Sequence, residues 1–313
     1  MYTNKIRFFR RLALVVFVVC LFMTVRTYFQ SVQHREQQND LKAMTETKPA
    51  GDFAENNGVS DETGGAPRQA DGAADQTENQ ETQADLSAGQ ADGGSRQDQA
   101  EMPDGGNTPN LLWQETTVAA EPVMLDKFTG LYAKNNDLVG WLSIEGMKID
   151  YPVMQNEDDE YYLHRDYYGK DSKYGCLYVR EQADLDDGTN FVIYGHNMKD
   201  GSMFGDLDLY LDESFYKEHP VISFDTLYEE RAYEIVAVFR SQVYSEDDDV
   251  FKYYHFYEAD TREEFADFYD NIKALSLYDT GVDAEFGDTF LTLSTCAYHV
   301  KDGRFVVVAK RVE

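Results

Sequence analysis

Three residues in the C-terminal half have the types that acyl-transfer chemistry needs. His196 lies in Tyr194-Gly195-His196-Asn197-Met198, directly after the apolar run Phe191 to Tyr194. Cys296 ends the run Thr292-Leu293-Ser294-Thr295-Cys296, and Arg304 opens Arg304-Phe305-Val306-Val307-Val308. A thiolate is a strong nucleophile once a base or positive charge is near it. An imidazole titrates near neutrality, so it can hold a proton and hand it to a leaving amine. A guanidinium stays charged and offers a planar fork of donors, which suits an oxyanion. Taken singly, each is ordinary: a lone Cys is more often a small buried hydrophobe, a lone His a hydrogen-bonded surface or core residue, and an Arg at a strand start is usually solvated. His299, three residues after Cys296, is a rival base.

The elements that must position this trio read as strands. Trp141 to Ile144 and Met147 to Val153 flank Glu145-Gly146, which predicts a hairpin. Further short runs of β-branched and aromatic residues are Gly175 to Val179, Asn190 to Tyr194, Val221 to Phe224, Tyr233 to Arg240, Thr289 to Ser294 and Arg304 to Ala309. Eight strands with little helix predict a mainly β barrel or sandwich. A short helix is expected over Val123 to Lys134, with Met124, Phe128, Leu131 and Tyr132 on one face. A second is marked by the capping box Thr261-Arg262-Glu263-Glu264, followed by Phe265, Phe268, Tyr269, Ile272 and Leu275 at helical spacing.

The N-terminal third is different in kind. Lys5, Arg7, Arg10 and Arg11 precede an uncharged run from Leu12 to Val25. That order predicts a signal anchor over residues 1–30, with the N-terminus in the cytoplasm and the rest outside. No small-x-small cleavage site follows it. Residues 31–110 are rich in Gln, Glu, Asp, Gly and Ala without apolar periodicity, and are expected to be a disordered tether. As a flexible coil it would reach roughly 50 Å. Residues 111–313 hold the apolar and aromatic content for one catalytic domain. The net charge of −30 disfavours nucleic-acid binding, which needs clustered Lys and Arg. Three cysteines, Cys20, Cys176 and Cys296, form no disulfide framework, and Cys176 reads as a buried structural thiol. The acidic runs Asp184 to Asp187 and Asp247 to Asp249 lack the spacing of a calcium loop, and no cofactor is expected.

From Asn136 to the C-terminus the chain resembles a class B sortase. The likeness is carried by Asp137-Leu-Val-Gly-Trp141, Ile149-Asp-Tyr-Pro-Val153, Tyr161-Tyr-Leu163, Tyr194-Gly-His-Asn-Met-Lys-Asp-Gly-Ser-Met-Phe-Gly205, Thr292-Leu-Ser-Thr-Cys296 and Arg304-Phe-Val-Val-Val308, in the family's order. The resemblance implies an eight-stranded sortase-type β-barrel with an N-terminal helix and a helix between strands six and seven. It implies Cys296 as nucleophile, His196 as general acid/base and Arg304 as the substrate-positioning and oxyanion group. It places Ser294 and Thr295 beside the nucleophile, where their hydroxyls or amides are expected to meet substrate. Seven residues separate Cys296 from Arg304, a short loop for the class, which bears on signal preference and not on the chemistry.

The expected reaction is transpeptidation. A secreted protein presents a C-terminal sorting signal of the Leu-Pro-x-Thr-Gly or Asn-Pro-x-Thr-x kind. The acyl group after Thr passes through Cys296 to an amine of a peptidoglycan precursor or a pilin Lys. Two other readings stand beside this one. A cysteine peptidase would release the product to water, and a non-catalytic surface module would leave Cys296 inert.

Overall fold

Each of the eight β-branched or aromatic runs forms a strand, as their fit to a pleated, half-buried surface predicts. They are β1 Leu138–Ser143, β2 Asp150–Gln155, β3 Leu177–Val179, β4 Asn190–Gly195, β5 Val221–Thr226, β6 Ala232–Gln242, β7 Phe290–Cys296 and β8 Gly303–Arg311. In this computed structural model, which describes residues 2–46, 122–297 and 300–312, they close into a barrel in the order β1-β2-β3-β4-β7-β8-β6-β5. Closure leaves no open sheet edge. The pairs β2–β3 and β4–β7 are parallel and the others antiparallel. The β1–β2 hairpin turns at Gly146, whose φ of 80° is open to glycine at little cost.

Inward-facing side chains such as Leu142, Val153, Ile193, Phe224, Val238 and Val307 fill the barrel. A helix, α4, lies across the outside between β6 and β7, as the capping box predicts. In chain order it follows α1 Tyr2–Glu46, α2 Asp126–Tyr132 and α3 Glu213–Glu218, and it spans Arg262–Leu275. Thr261 and Glu264 each satisfy a backbone N–H at its start. Phe265, Phe268 and Ile272 are buried, with Phe268 stacked on Phe256 at 4.0 Å. Leu275, expected on the same face, is the last residue of the helix and is exposed. α2 is shorter than expected. Leu125 N–H donates to the Leu227 carbonyl, so Met124 precedes the helix instead of lying on it.

The larger departure is at the N-terminus. The exposed apolar run continues as one helix, α1, through Glu46, and this helix is long and apolar enough to cross a membrane. Residues 31–46, expected as the start of a tether, are therefore helical, and they pack on the barrel. Leu41 is buried among Phe128, Leu131 and Trp141, and Lys42 pairs with Asp150. His34 stacks flat on Tyr174, ring centroids 4.1 Å apart. Few apolar residues mark this stretch, which is why periodicity missed it: the contact uses Leu41, Met44, a ring stack, one ion pair and the Gln37–Asp166 hydrogen bond. The rest of the expected tether, 47–110, and His299 lie outside the described residues.

Candidate active site

Sheet register brings the sequence-separated trio together. β7 pairs with β4 so that Thr295 lies opposite Gly195, the residue before His196. On its other side β7 pairs with β8, and Cys296 lies opposite Arg304. Cys296, His196 and Arg304 thus share one groove of about 460 Å³, with Leu163, Tyr194 and Tyr253 among its other lining residues. Ser294 and Thr295 line it as well. Gly195 is required here by packing: a Cβ would lie 2.5 Å from Leu177 Cδ2 and 2.8 Å from Phe204. Any side chain would have to displace Leu177 or Phe204 beside His196.

Each of the three has a distinct support. His196 Nε2 lies 2.8 Å from the Leu163 carbonyl. A carbonyl only accepts, so Nε2 donates and the neutral ring keeps Nδ1 as its basic nitrogen. Cys296 is half-buried at the end of β7, with no disulfide. Its carbonyl accepts from the Asn197 side chain at 3.0 Å, which ties the Cys296 backbone to the residue after His196. The next peptide is held as well, Ala297 N–H donating to Gly303 at 2.9 Å. Arg304 donates Nη1 to the Gly303 carbonyl at 3.0 Å, and no described carboxylate pairs with it. Its guanidinium therefore keeps donors for a developing negative charge.

Ser294 and Thr295 are almost fully buried, and their hydroxyls are used inside the protein. Thr295 Oγ1 donates to the Gly195 carbonyl at 2.7 Å, and Ser294 Oγ lies 2.7 Å from the Tyr253 hydroxyl. Burial pushes the Tyr253 phenol up, so it stays neutral and hydrogen-bonded. Arg180 lies over the Tyr194 ring, 5.2 Å from its centroid, and Tyr178 stacks on the same ring at 5.6 Å. Sequence reading did not single out Leu163, Arg180, Asn197 or Tyr253 for these contacts. Only Asn197 carried a signal, its place next to His196. The others come from segments 33 to 41 residues away from their partners or from separate strands.

Cys176 is fully buried under α2 and the Tyr162–Tyr167 segment, and burial pushes its thiol up. It stays a protonated core residue. The acidic run at Asp184 turns on itself: its carboxylate accepts from the Asp186 and Asp187 N–H groups.

The family comparison agrees with this architecture. A sortase domain matches residues 142–312. Sortase B of Listeria monocytogenes is 38% identical over 192 residues, 60% of this chain and 74% of that protein. Sortase B of Staphylococcus aureus is 30% identical over 190 residues, 60% of this chain and 75% of its own length. Among solved structures, Bacillus anthracis sortase B in complex with AAEK1 superposes with a TM-score of 0.54 at 34% identity, covering 62% of this chain and 90% of that one. A S. aureus sortase B–substrate complex gives 0.55 at 29%, covering 61% and 86%. With a sortase domain matched over more than half of its length and the barrel shared with sortase B structures, the chain belongs to the sortase family of cysteine transpeptidases, in its class B branch.

Proposed function

We propose that this chain is a membrane-anchored transpeptidase that cuts a C-terminal sorting signal after Thr and joins the acyl part to an amine. The observation that carries the reading is the register of β4, β7 and β8, which gathers Cys296, His196 and Arg304 in one groove. Cys296 attacks the Thr carbonyl as thiolate. Arg304, free of any described carboxylate, stabilises the tetrahedral oxyanion. The protonated His196 gives a proton to the departing amine, and the C–N bond breaks. A thioacyl-enzyme remains. The incoming amine loses its proton to His196, attacks the thioester and expels Cys296, so the amide count is conserved. The Cys296 and His196 protonations are coupled, and the mechanism assigns the proton inventory to the pair.

The donor is a secreted protein with a Leu-Pro-x-Thr-Gly or Asn-Pro-x-Thr-x type signal, and the acceptor a peptidoglycan precursor amine or a pilin Lys. α1 supports a single-pass anchor with the N-terminus in the cytoplasm and the catalytic domain outside the cell. The test is direct trapping. Full-length protein in detergent is mixed with signal peptides, quenched in acid and read by mass spectrometry. A thioester on Cys296, discharged by hydroxylamine and absent from Cys296→Ala, is expected. Adduct on another residue would remove Cys296 from the nucleophile's role.

A further inference from the structure

The groove explains what His196 does but not what holds it in place. β4 fixes its backbone, and the ring relies on the Leu163 carbonyl. Leu163 is not part of the barrel. It ends a single 3-10 turn, Tyr161–Leu163, in the excursion between β2 and β3. The loop after that turn is organised by Asp166, whose carboxylate accepts from the Tyr168 and Lys170 N–H groups. Gln37 of α1 reaches this same carboxylate, donating at 3.1 Å.

The segment on the other side of His196 faces α1 across a crevice. Residues 197–205 leave β4 and fold back, with Phe204 N–H bonded to the His196 carbonyl at 2.9 Å. Met203 is held at φ 52°, a conformation costly for a side chain with a Cβ, so the turn needs outside support. Part of that support is Tyr151, whose hydroxyl accepts from Met203 N–H. The His34 ring lies over Tyr174 and beside Tyr151, centroids 6.4 Å apart. Asp200 and Ser202, at the tip of the turn, form one wall of a crevice of about 500 Å³. Ser31, His34 and Arg35 of α1 form the other.

We propose that residues Ser31 to Lys42 of the anchor helix are a working part of the catalytic domain, a buttress that holds the two loops on either side of His196. The sequence hides this, because the segment 47–121 separates the buttress from the barrel it supports. Helical rise places Ser31 only about 8 Å beyond Arg26, at the end of the apolar run. The anchor thus does more than retain the enzyme. Its docking sets the catalytic His, and the active domain stands against the bilayer instead of at the end of a long leash. The inference about turnover rests on His196 as the acid/base of the proposed reaction. The inference about loop order does not.

The experiment uses the full chain in lipid nanodiscs. Wild type is compared with the triple variant His34→Ala/Leu41→Asp/Lys42→Glu, with His34→Ala alone, and with His34→Phe, which keeps a flat ring on Tyr174. Hydrogen exchange is followed over residues 31–46, 161–172 and 196–205, beside kcat and KM for a cleaved signal peptide. The triple variant is expected to exchange at least tenfold faster in all three segments. Its kcat should fall at least tenfold with KM within about twofold, because Leu163 and His196 are the groove-lining residues in the loosened loops and the rest of the lining lies outside them. His34→Ala should show the same pattern more weakly, and His34→Phe should stay near wild type. A loosened α1 with both loops unchanged overturns the proposal. So does slow exchange over 31–46 that survives the triple change. Loops that loosen as predicted in a chain with no turnover at all would support the buttress and count against the transpeptidase reading.

Discussion

Replacing Thr295 by Val removes one hydroxyl and keeps the shape. In the native barrel that hydroxyl donates to the Gly195 carbonyl at 2.7 Å, and Thr295 is 2% exposed. A buried hydrogen bond contributes about 1 kcal/mol net, and a carbonyl left short of a partner adds a further cost. The expected loss is therefore about 1–2 kcal/mol, or roughly 3–6 °C in Tm for a domain of this size. Thr295→Ser is the control. It keeps the donor and loses a methyl from a packed wall, at about 1 kcal/mol. The two variants should be destabilised alike but differ in catalysis, because only Val releases the link between the residue before Cys296 and the residue before His196. A barrier rise of 1.4 kcal/mol is a tenfold rate loss. Steady-state peptide cleavage should give about a tenfold lower kcat for Val, within threefold of wild type for Ser, with KM unchanged in both. Equal kcat for Val and Ser, or a Val defect confined to KM, would refute the claim that this bond aligns Cys296 with His196.

Three further outcomes follow from the same contacts. Iodoacetamide on the native chain in nanodiscs should label Cys296 and spare Cys176, which becomes reactive only on unfolding; mass spectrometry of the alkylated peptides reads this. Phe268→Ala should cost about 3–5 kcal/mol by opening a cavity under α4, seen as a lower urea midpoint with KM within about twofold, since no α4 residue lines the groove itself. Tyr151 gives a pH dependence. Burial, opposed by the Met203 N–H it accepts, pushes its phenol up to about 12 from an ordinary 10. The unfolded chain ionises first, so the stability tied to the neutral phenol is complete below pH 10 and lost as pH rises through 12. The amount is about 3 kcal/mol at most. Urea titrations from pH 9 to 11.5 should show Tyr151→Phe losing less stability with pH than wild type. Parallel slopes would contradict that assignment.

The sequence makes the barrel legible because its strands are short, β-branched and separated by turn residues, and because Thr261 and Glu264 announce α4 in advance. The trio is legible for a different reason. His196, Cys296 and Arg304 sit at strand ends inside motifs, where register alone brings them together. What stays hidden is long-range and polar. Nothing local joins Leu163 to His196, or Tyr253 to Ser294, since hydrogen-bond partners have no periodicity. The α1 docking is hidden by composition, because a stretch with Gln33, Arg35, Glu36, Gln37, Gln38, Asn39 and Asp40 reads as solvated even though His34 and Leu41 within it are buried. Leu275 shows the reverse error: helical spacing marks a face, but spacing does not say how much of that face the rest of the fold covers.

The most direct test of the central claim is amine transfer by the full-length chain in nanodiscs. Fluorogenic peptides with Leu-Pro-x-Thr-Gly and Asn-Pro-x-Thr-x signals are supplied with and without peptidoglycan-stem and Lys-bearing acceptors, beside Cys296→Ala. Product is identified by mass spectrometry. The account predicts cleavage after Thr, product joined to the added amine, and loss of both in Cys296→Ala. Cleavage that persists without Cys296, or hydrolysis with no amine-linked product from any acceptor, would contradict it.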